Sequence, residues 1–491
     1  MVFSSQSFLF LFLPLFLGVY YLLSWRAKSA WIFLGSLLFY AWWRVDMTVL
    51  FVLTMVWTYL VGIQIHKRRH NAEQVSHKQA GKAWLALGVS VNLGILGYFK
   101  YANFIVNNVN TLQTLREQPL LATPDIILPI GISFYIFQAT SYLIDVFRKD
   151  APPATNFWDL SAFIALFPQL IAGPILRYKD LAAQFRTRDH NLAKFAWGCR
   201  RFMIGFCKKV LLADAVAPLV ALCLQHQDEF TGLAHPTFLE ALIGSLAYSI
   251  QLYFDFAGYS DMAIGLGLMM GFRFMENFAM PYHSRSITEF WQRWHISLSR
   301  WLRDYLYIPL GGNRLGYGRT LVNLLIVMLL GGLWHGANWT FVLWGAWHGG
   351  LLVLERVRTQ HKQTPEDAPV PARNQVLMKL RTFGLVLLGW VMFQAPSVRQ
   401  AGHVYAALLG QNGFAISDDI LWQLPMRALA TLVIGLSIVV LEPIWVSYTP
   451  SPETASSYIW HKRDGWLVPI FVMALLALIS ASYSPFLYFQ F

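Results

Sequence analysis

The chain has 491 residues, 56% of them hydrophobic and only 13% charged, with a mean hydropathy of +0.45. A soluble domain carries about 25% charged residues, so this composition excludes a soluble globular protein, and it excludes a disordered chain, which needs few apolar residues and much charge. The net charge of +12 fits Lys and Arg gathered in the cytoplasmic loops of a membrane protein; nucleic-acid binding is excluded because no basic face carries a reader motif.

A helix crossing a bilayer needs about 20 apolar residues. In chain order the apolar runs are Phe8–Leu23, Ala30–Trp42, Thr48–Ile65, Ala83–Val106, Ile126–Phe147, Leu160–Ile171, Phe195–Leu224, Phe238–Phe274, Leu321–Leu330, Thr340–Leu354, Phe383–Phe393, Leu429–Val446 and Trp466–Ala481. They predict an all-α polytopic membrane protein of roughly 10–13 helices, some broken or re-entrant because their runs are too short or too long for one span. A β-barrel would instead show short alternating segments. The first run lacks a basic segment before it and is followed by Arg26 and Lys28, which reads as a retained span with its N-terminus outside. The basic stretches His66–Lys82 and Arg356–Arg381, the second with Pro365, Pro369 and Pro371, read as cytoplasmic loops. No loop holds a soluble domain, so residues 1–491 read as one integral-membrane domain.

Polar residues inside apolar runs are costly and mark candidate sites. Lys100 is expected to snorkel to the interface. Cys199, Cys207 and Cys223 lack metal-ligand spacing and read as buried thiols, so no metal site is expected. In LYFDFAGYSDMAIG, Asp255 and Asp261 flank Gly258, a local weak point. Pairing with the arginines of the segment that follows is the favoured reading; a proton relay is the alternative.

Residues 283–314 read HSRSITEFWQRWHISLSRWLRDYLYIPLGGNR. Arg285, Arg293, Arg300, Arg303 and Arg314 stand against Glu289 and Asp304, and seven charges in lipid would cost about 20 kcal/mol. The segment must therefore lie at the interface or inside protein. Ser286 and Glu289 form a capping box that starts a helix. Ile287, Trp291, Trp294, Leu298, Trp301 and Tyr305 form an amphipathic stripe that ends by Pro309. On one continuous helix His295 falls in the row Trp291–His295–Leu298–Leu302 and points to the apolar side, where a polar group needs a partner. The turn Gly311–Arg314 presents an exposed cation suited to an anionic ligand. From Leu321 to Val357 the sequence is apolar apart from an interruption at Gly331–Asn338, which predicts a break inside the membrane. His335 sits in that break, and its imidazole suits proton transfer near neutral pH. His348, beside Trp344 and Trp347, reads as a packing residue.

Trp294–Arg314 (WHxSLSxWLRDYLYxPLGGNR) followed by Gly331–Trp339 (GGLWHGANW) resembles the bacterial branch of the membrane-bound O-acyltransferase family. The likeness extends through MVFSS, Phe39–Asp46, Leu96–Phe104, Leu128–Gln138, Leu170–Leu181, Gln251–Phe278 and Tyr483–Phe491, and thins in 359–380 and 411–465. The resemblance implies a ring of helices around a central funnel, with His335 as the signature catalytic histidine and His295 as the second motif histidine. It implies no bound cofactor, acetyl-CoA as acetyl-donor substrate, and transfer across a bacterial inner membrane for periplasmic O-acetylation of an exopolysaccharide, alginate first, cellulose or another surface glycan otherwise. A periplasmic acetyltransferase chain is the implied partner besides lipid. His335 is then the base toward the attacking hydroxyl, or a transient acyl carrier. His295, Trp334 or Asn338 orient it or stabilise the oxyanion; Arg303 and Arg314 hold the donor's phosphates, and Asp304 and Asn313 are further candidates for substrate or donor binding. The alternative of another class is a proton-coupled transporter using His335, Asp255 and Asp261, against which stands the lack of internal repeats.

Overall fold

The structure, a computed structural model, describes residues 2–73, 81–225, 234–360, 371–446 and 464–480. The closing motif Tyr483–Phe491, Lys78, Lys362, Pro365 and Pro369 lie outside the described residues. Among the described residues every regular element is a helix. Five helices are long and apolar enough to cross a membrane: Val45–Arg69, Lys82–Thr114, Tyr317–His335, Arg373–Gln394 and Met426–Ile444. Phe8–Leu22 and Leu467–Ser480 are apolar but shorter. Other runs resolve into smaller pieces. Leu160–Ile171 becomes Phe157–Ala165 and Phe167–Leu170, parted at Leu166 before Pro168. Phe195–Leu224 becomes Leu192–Cys207, a π-helical turn at Lys208–Ala213, and Asp214–Leu224.

The described residues fall into two compact units, 2–202 with 262–275, and 203–261 with 276–446 and 464–480. In the first, helix Ile132–Arg148 is buried on almost every face, polar Gln138, Ser141 and Asp145 included. Small residues let its neighbours approach: a Cβ at Gly62 would lie 2.6 Å from the Tyr142 ring, and one at Gly88 would lie 2.6 Å from Leu143. Phe12, Phe16 and Phe39 close on Phe167 with ring centroids 5.0–5.6 Å away, within the range where aromatic pairs attract. Lys100 does not snorkel. It is buried and its Nζ donates to Ser133 Oγ at 3.2 Å, because the helix presents that residue inward.

The second unit centres on the antiparallel pair Tyr317–His335 and Trp339–Gln360. Their backbones nearly touch: a Cβ at Gly332 would lie 2.2 Å from Phe341 O, and one at Gly345 would lie 2.4 Å from Met328 O. This revises the expected break at Gly331–Asn338. Gly331 and Gly332 stay helical and serve close packing; only residues 336–338 turn the chain. The helices are 19 and 22 residues long, so the turn joins two long helices instead of splitting one. Gly258 is likewise no weak point. Helix Phe238–Met269 is continuous there, and a Cβ at 258 would lie 2.7 Å from Gly205 O.

Candidate active site

The charged segment Ser286–Tyr307 is not one helix. It forms Ile287–Arg293, Ile296–Leu302 and a π-turn Arg303–Tyr307, broken at Trp294–His295. Its start follows the sequence signal: Ser286 Oγ accepts from Glu289 N at 3.0 Å. The reciprocal bond shifts by one residue, with Glu289 accepting from Arg285 N at 2.7 Å. A second carboxylate arrives from a distant helix: Glu355 accepts from Ile287 N at 2.7 Å and from Thr288 N and Oγ1 at 2.9 Å. A carboxylate against the first N–H groups of a helix satisfies orphan donors and complements the helix dipole. The predicted stripe is the inward face: Ile287, Trp294, Leu298, Trp301 and Tyr305 are buried.

His295 is fully buried, so its inward direction is as expected, but the cause differs. It sits in the left-handed region, φ 44° and ψ 54°, a conformation costing a residue with a Cβ about 1–3 kcal/mol. The helix ends at Arg293 and restarts at Ile296, and this kink turns the imidazole into the protein. Asn277 holds it there. Asn277 Oδ1 accepts from Ser297 Oγ at 2.8 Å and Ser297 N at 3.2 Å, and faces His295 Nδ1 at 3.1 Å. Asn277 Nδ2 donates to Ser260 Oγ at 3.0 Å, and Asn277 O accepts from Ile296 N at 3.0 Å. An atom that accepts from two donors is the amide oxygen, so Nδ1 carries the hydrogen. Nε2 then presents its lone pair; it is buried and without a hydrogen-bond partner.

His335, the last residue of its helix, is also buried. Its ring lies 5.0 Å from Trp334, 5.1 Å from Trp344, 5.1 Å from Phe393 and 6.5 Å from His295, centroid to centroid. Two imidazoles at that spacing are too far apart for a direct hydrogen bond, but close enough for one oxygen to sit between them. Aromatic walls exclude water and strengthen any charge interaction inside. Asn338 caps the next helix, accepting from Thr340 N at 3.1 Å and donating to Pro396 O at 2.9 Å; it fixes the turn that follows His335. His348 is buried among Phe290, Trp291, Trp344 and Trp390, and both ring nitrogens lack a hydrogen-bond partner.

The other expected site residues are not gathered with the histidines. Arg303 is exposed and bonds Asp304 at 2.9 Å. Arg314 is exposed in the Gly311–Gly316 turn, where Asn313 Oδ1 accepts from Tyr307 Oη. That turn precedes Tyr317, and His335 ends the same helix, so a rise of 1.5 Å per residue separates them by about 27 Å. Asp255 and Asp261 pair with lysines, not with the expected arginines. Lys209 Nζ lies 2.7 Å from Asp255 and 2.6 Å from Asp214, and Lys208 Nζ lies 2.8 Å from Asp261. The close approach at Gly258 brings the lysine-bearing helix alongside, so these partners are nearer than the arginines. Among the described residues no group of three or more His, Cys, Asp or Glu is placed to hold a metal.

The sequence reading did not single out Asn277, Ser297 or Glu355. Asn277 carried no clear signal, because Arg273 and Glu276 precede it and its amide does not stand out among them. Glu355 carried none, because its role depends on a pairing across 67 residues or more.

Comparison with known proteins agrees with this architecture. The family model "MBOAT, membrane-bound O-acyltransferase family" matches residues 122–395, which contain both histidines and both long helices of the pair. A probable alginate O-acetylase of Pseudomonas putida is 49% identical over the full length of both chains. A peptidoglycan O-acetyltransferase of Helicobacter pylori is 34% identical over 100% of this chain and 98% of its own. A teichoic acid D-alanyltransferase of Streptococcus thermophilus is 30% identical over 56% of this chain and 71% of its own. The chain is therefore a multi-pass bacterial inner-membrane O-acyltransferase, a member of the membrane-bound O-acyltransferase family.

Proposed function

We propose that the protein takes acetyl groups from acetyl-CoA on the cytoplasmic side and delivers them across the inner membrane for O-acetylation of alginate, and that residues 1–491 act as one membrane domain in doing so. The observation that carries the reading is the pair of buried imidazoles, His335 and His295, with ring centroids 6.5 Å apart among aromatic side chains. Full-length likeness to a probable alginate O-acetylase supports the acceptor.

In this reading His335 is the general base. A substrate hydroxyl gives its proton to the His335 imidazole as its oxygen bonds to the thioester carbonyl carbon. The tetrahedral oxyanion collapses, the carbon–sulfur bond breaks, and the CoA thiolate takes the proton back from the imidazolium. His295, held through Nδ1 by Asn277, walls the site beside His335 and so positions the substrate. Trp334 shields the His335 ring, and Asn338 keeps it at the turn. Arg303 and Arg314, with Asn313, hold the donor's phosphates at the far end of helix Tyr317–His335, with Asp304 orienting Arg303 through their ion pair, leaving the acyl end to reach inward. Asp255 and Asp261 act as ion-pair partners of Lys209 and Lys208 and take no proton from substrate. A separate periplasmic chain completes transfer to the polymer.

The test is reconstitution of the purified protein in vesicles with labelled acetyl-CoA outside and a periplasmic partner inside with alginate oligomers or with peptidoglycan fragments. Label on alginate oligomers supports the reading. Label only on peptidoglycan fragments overturns the acceptor, and label on neither overturns the donor or the direction.

A further inference from the structure

Arg188, Lys28 and Lys194 are 6%, 8% and 4% exposed, three buried cations in the first unit. Burying a charge is costly unless it is paired, and these are poorly paired. Arg188 Nε donates to Tyr20 Oη at 3.0 Å and Nη1 to Gln184 O at 3.3 Å, while Nη2 is buried without a hydrogen-bond partner. Its guanidinium lies 4.6 Å from the Trp25 ring and 4.3 Å from the Phe272 ring. Lys28 Nζ donates to Tyr20 O at 2.5 Å and sits 4.1 Å over the Tyr20 ring. Lys194 Nζ donates to Asp189 O at 3.2 Å. The carboxylates acting on these cations are Asp189, 84% exposed and 3.8 Å from Lys194, and Asp159, which reaches Arg188 only through space. Arg273 adds a further positive charge near Lys194.

The frame around the cations is fixed. Tyr20 Oη donates to Met270 O at 2.8 Å and accepts from Arg188, so His190 Nε2, 2.8 Å away, also donates to it. Gly271 has φ +84°, and a Cβ there would lie 2.8 Å from Asp189 O and 3.3 Å from His190 Nε2. A guanidinium with a spare N–H and two ammonium groups, all three close enough to His190 to act on it electrostatically and set about a rigid tyrosine–histidine frame, matches the charge and donor pattern that a phosphate group requires.

We infer that Arg188, Lys28 and Lys194 form a binding site for a phosphate group, borne either by a membrane lipid headgroup or by a water-soluble phosphate ester. The site is made of residues separate from His335 and His295 and does not depend on the acyl acceptor.

The experiment uses the full-length protein, delipidated in non-ionic detergent, with two probes: dioctanoyl phosphatidic acid and inorganic pyrophosphate. Binding is read by isothermal calorimetry and by the shift of the thermal midpoint. Wild type is compared with Arg188→Gln and with the double variant Lys28→Gln/Lys194→Gln, which leaves the Arg188–Tyr20 bond intact should Arg188→Gln fail to fold. Loss of charge-assisted bonds predicts binding weaker by about tenfold or more in a folded variant. Binding of phosphatidic acid alone assigns a lipid site, and binding of pyrophosphate alone assigns a soluble ester. Binding of neither probe to wild type, or equal binding to the folded double variant, overturns the inference.

Discussion

Replacing Asn277 with Ala tests whether one amide sets the hydrogen position on His295. Asn277 Oδ1 serves three donors, His295 Nδ1–H, Ser297 N–H and Ser297 Oγ–H. The hydroxyl can rotate to another acceptor, but the two N–H groups are fixed and buried. Stranding each costs about 1–3 kcal/mol, so the variant is expected to lose about 2–6 kcal/mol of stability. Activity should fall further than stability explains, because the ring is no longer held through Nδ1 and is free to reorient beside His335. About tenfold in turnover per folded molecule corresponds to the loss of one positioning bond. Ser297→Ala is the control: it removes a donor, leaves Asn277 Oδ1 with two others, and should cost less than about 1 kcal/mol. The assay is acyl transfer from a labelled thioester, normalised to the monodisperse fraction, beside thermal unfolding of both variants. An Asn277→Ala protein that melts with Ser297→Ala and turns over like wild type refutes the reasoning.

Three further outcomes are expected. Lys209→Met leaves Asp214 and Asp255 facing each other without the ammonium group between them; breaking a buried pair this way costs about 3–5 kcal/mol, and Lys209→Met/Asp255→Asn should recover part of it in thermal unfolding. Gly332→Ala sets a methyl 2.2 Å from Phe341 O, so the helix pair must part; a cost of about 1–3 kcal/mol and reduced turnover are expected, whereas Gly384→Ala, which meets nothing within 4 Å, should change neither. Glu355→Gln keeps an acceptor for Ile287 and Thr288 but removes the charge, and should lower the thermal midpoint by less than Glu355→Ala, which strands the Ile287 N–H at about 1–3 kcal/mol.

Much of this fold and site is legible in the sequence where the physics is local. The capping signal at Ser286, the buried stripe from Ile287 to Tyr305 and the all-helical class follow from spacing and composition. The kink at Trp294–His295 does not, because no Gly or Pro marks it; the left-handed residue is held by Asn277, which lies in the approach to the segment. The ion pairs of Asp255 and Asp261 went to Lys209 and Lys208 because backbone approach at Gly258, a tertiary fact, decides which cation is near. Which runs make one long span is also not legible from run length alone: Ile126–Phe147 carries only the 17-residue helix Ile132–Arg148, buried on almost every face.

The most direct test of the account is a single-turnover measurement of thioester cleavage and acetyl transfer with His335→Gln against wild type at equal abundance in the membrane. The account predicts that transfer falls by about 10²–10⁴-fold, the loss typical of removing a general base, while the variant still binds the donor and unfolds near the wild-type temperature. Transfer within about threefold of wild type, far short of that loss, would contradict the central claim that the buried His335 imidazole carries the proton.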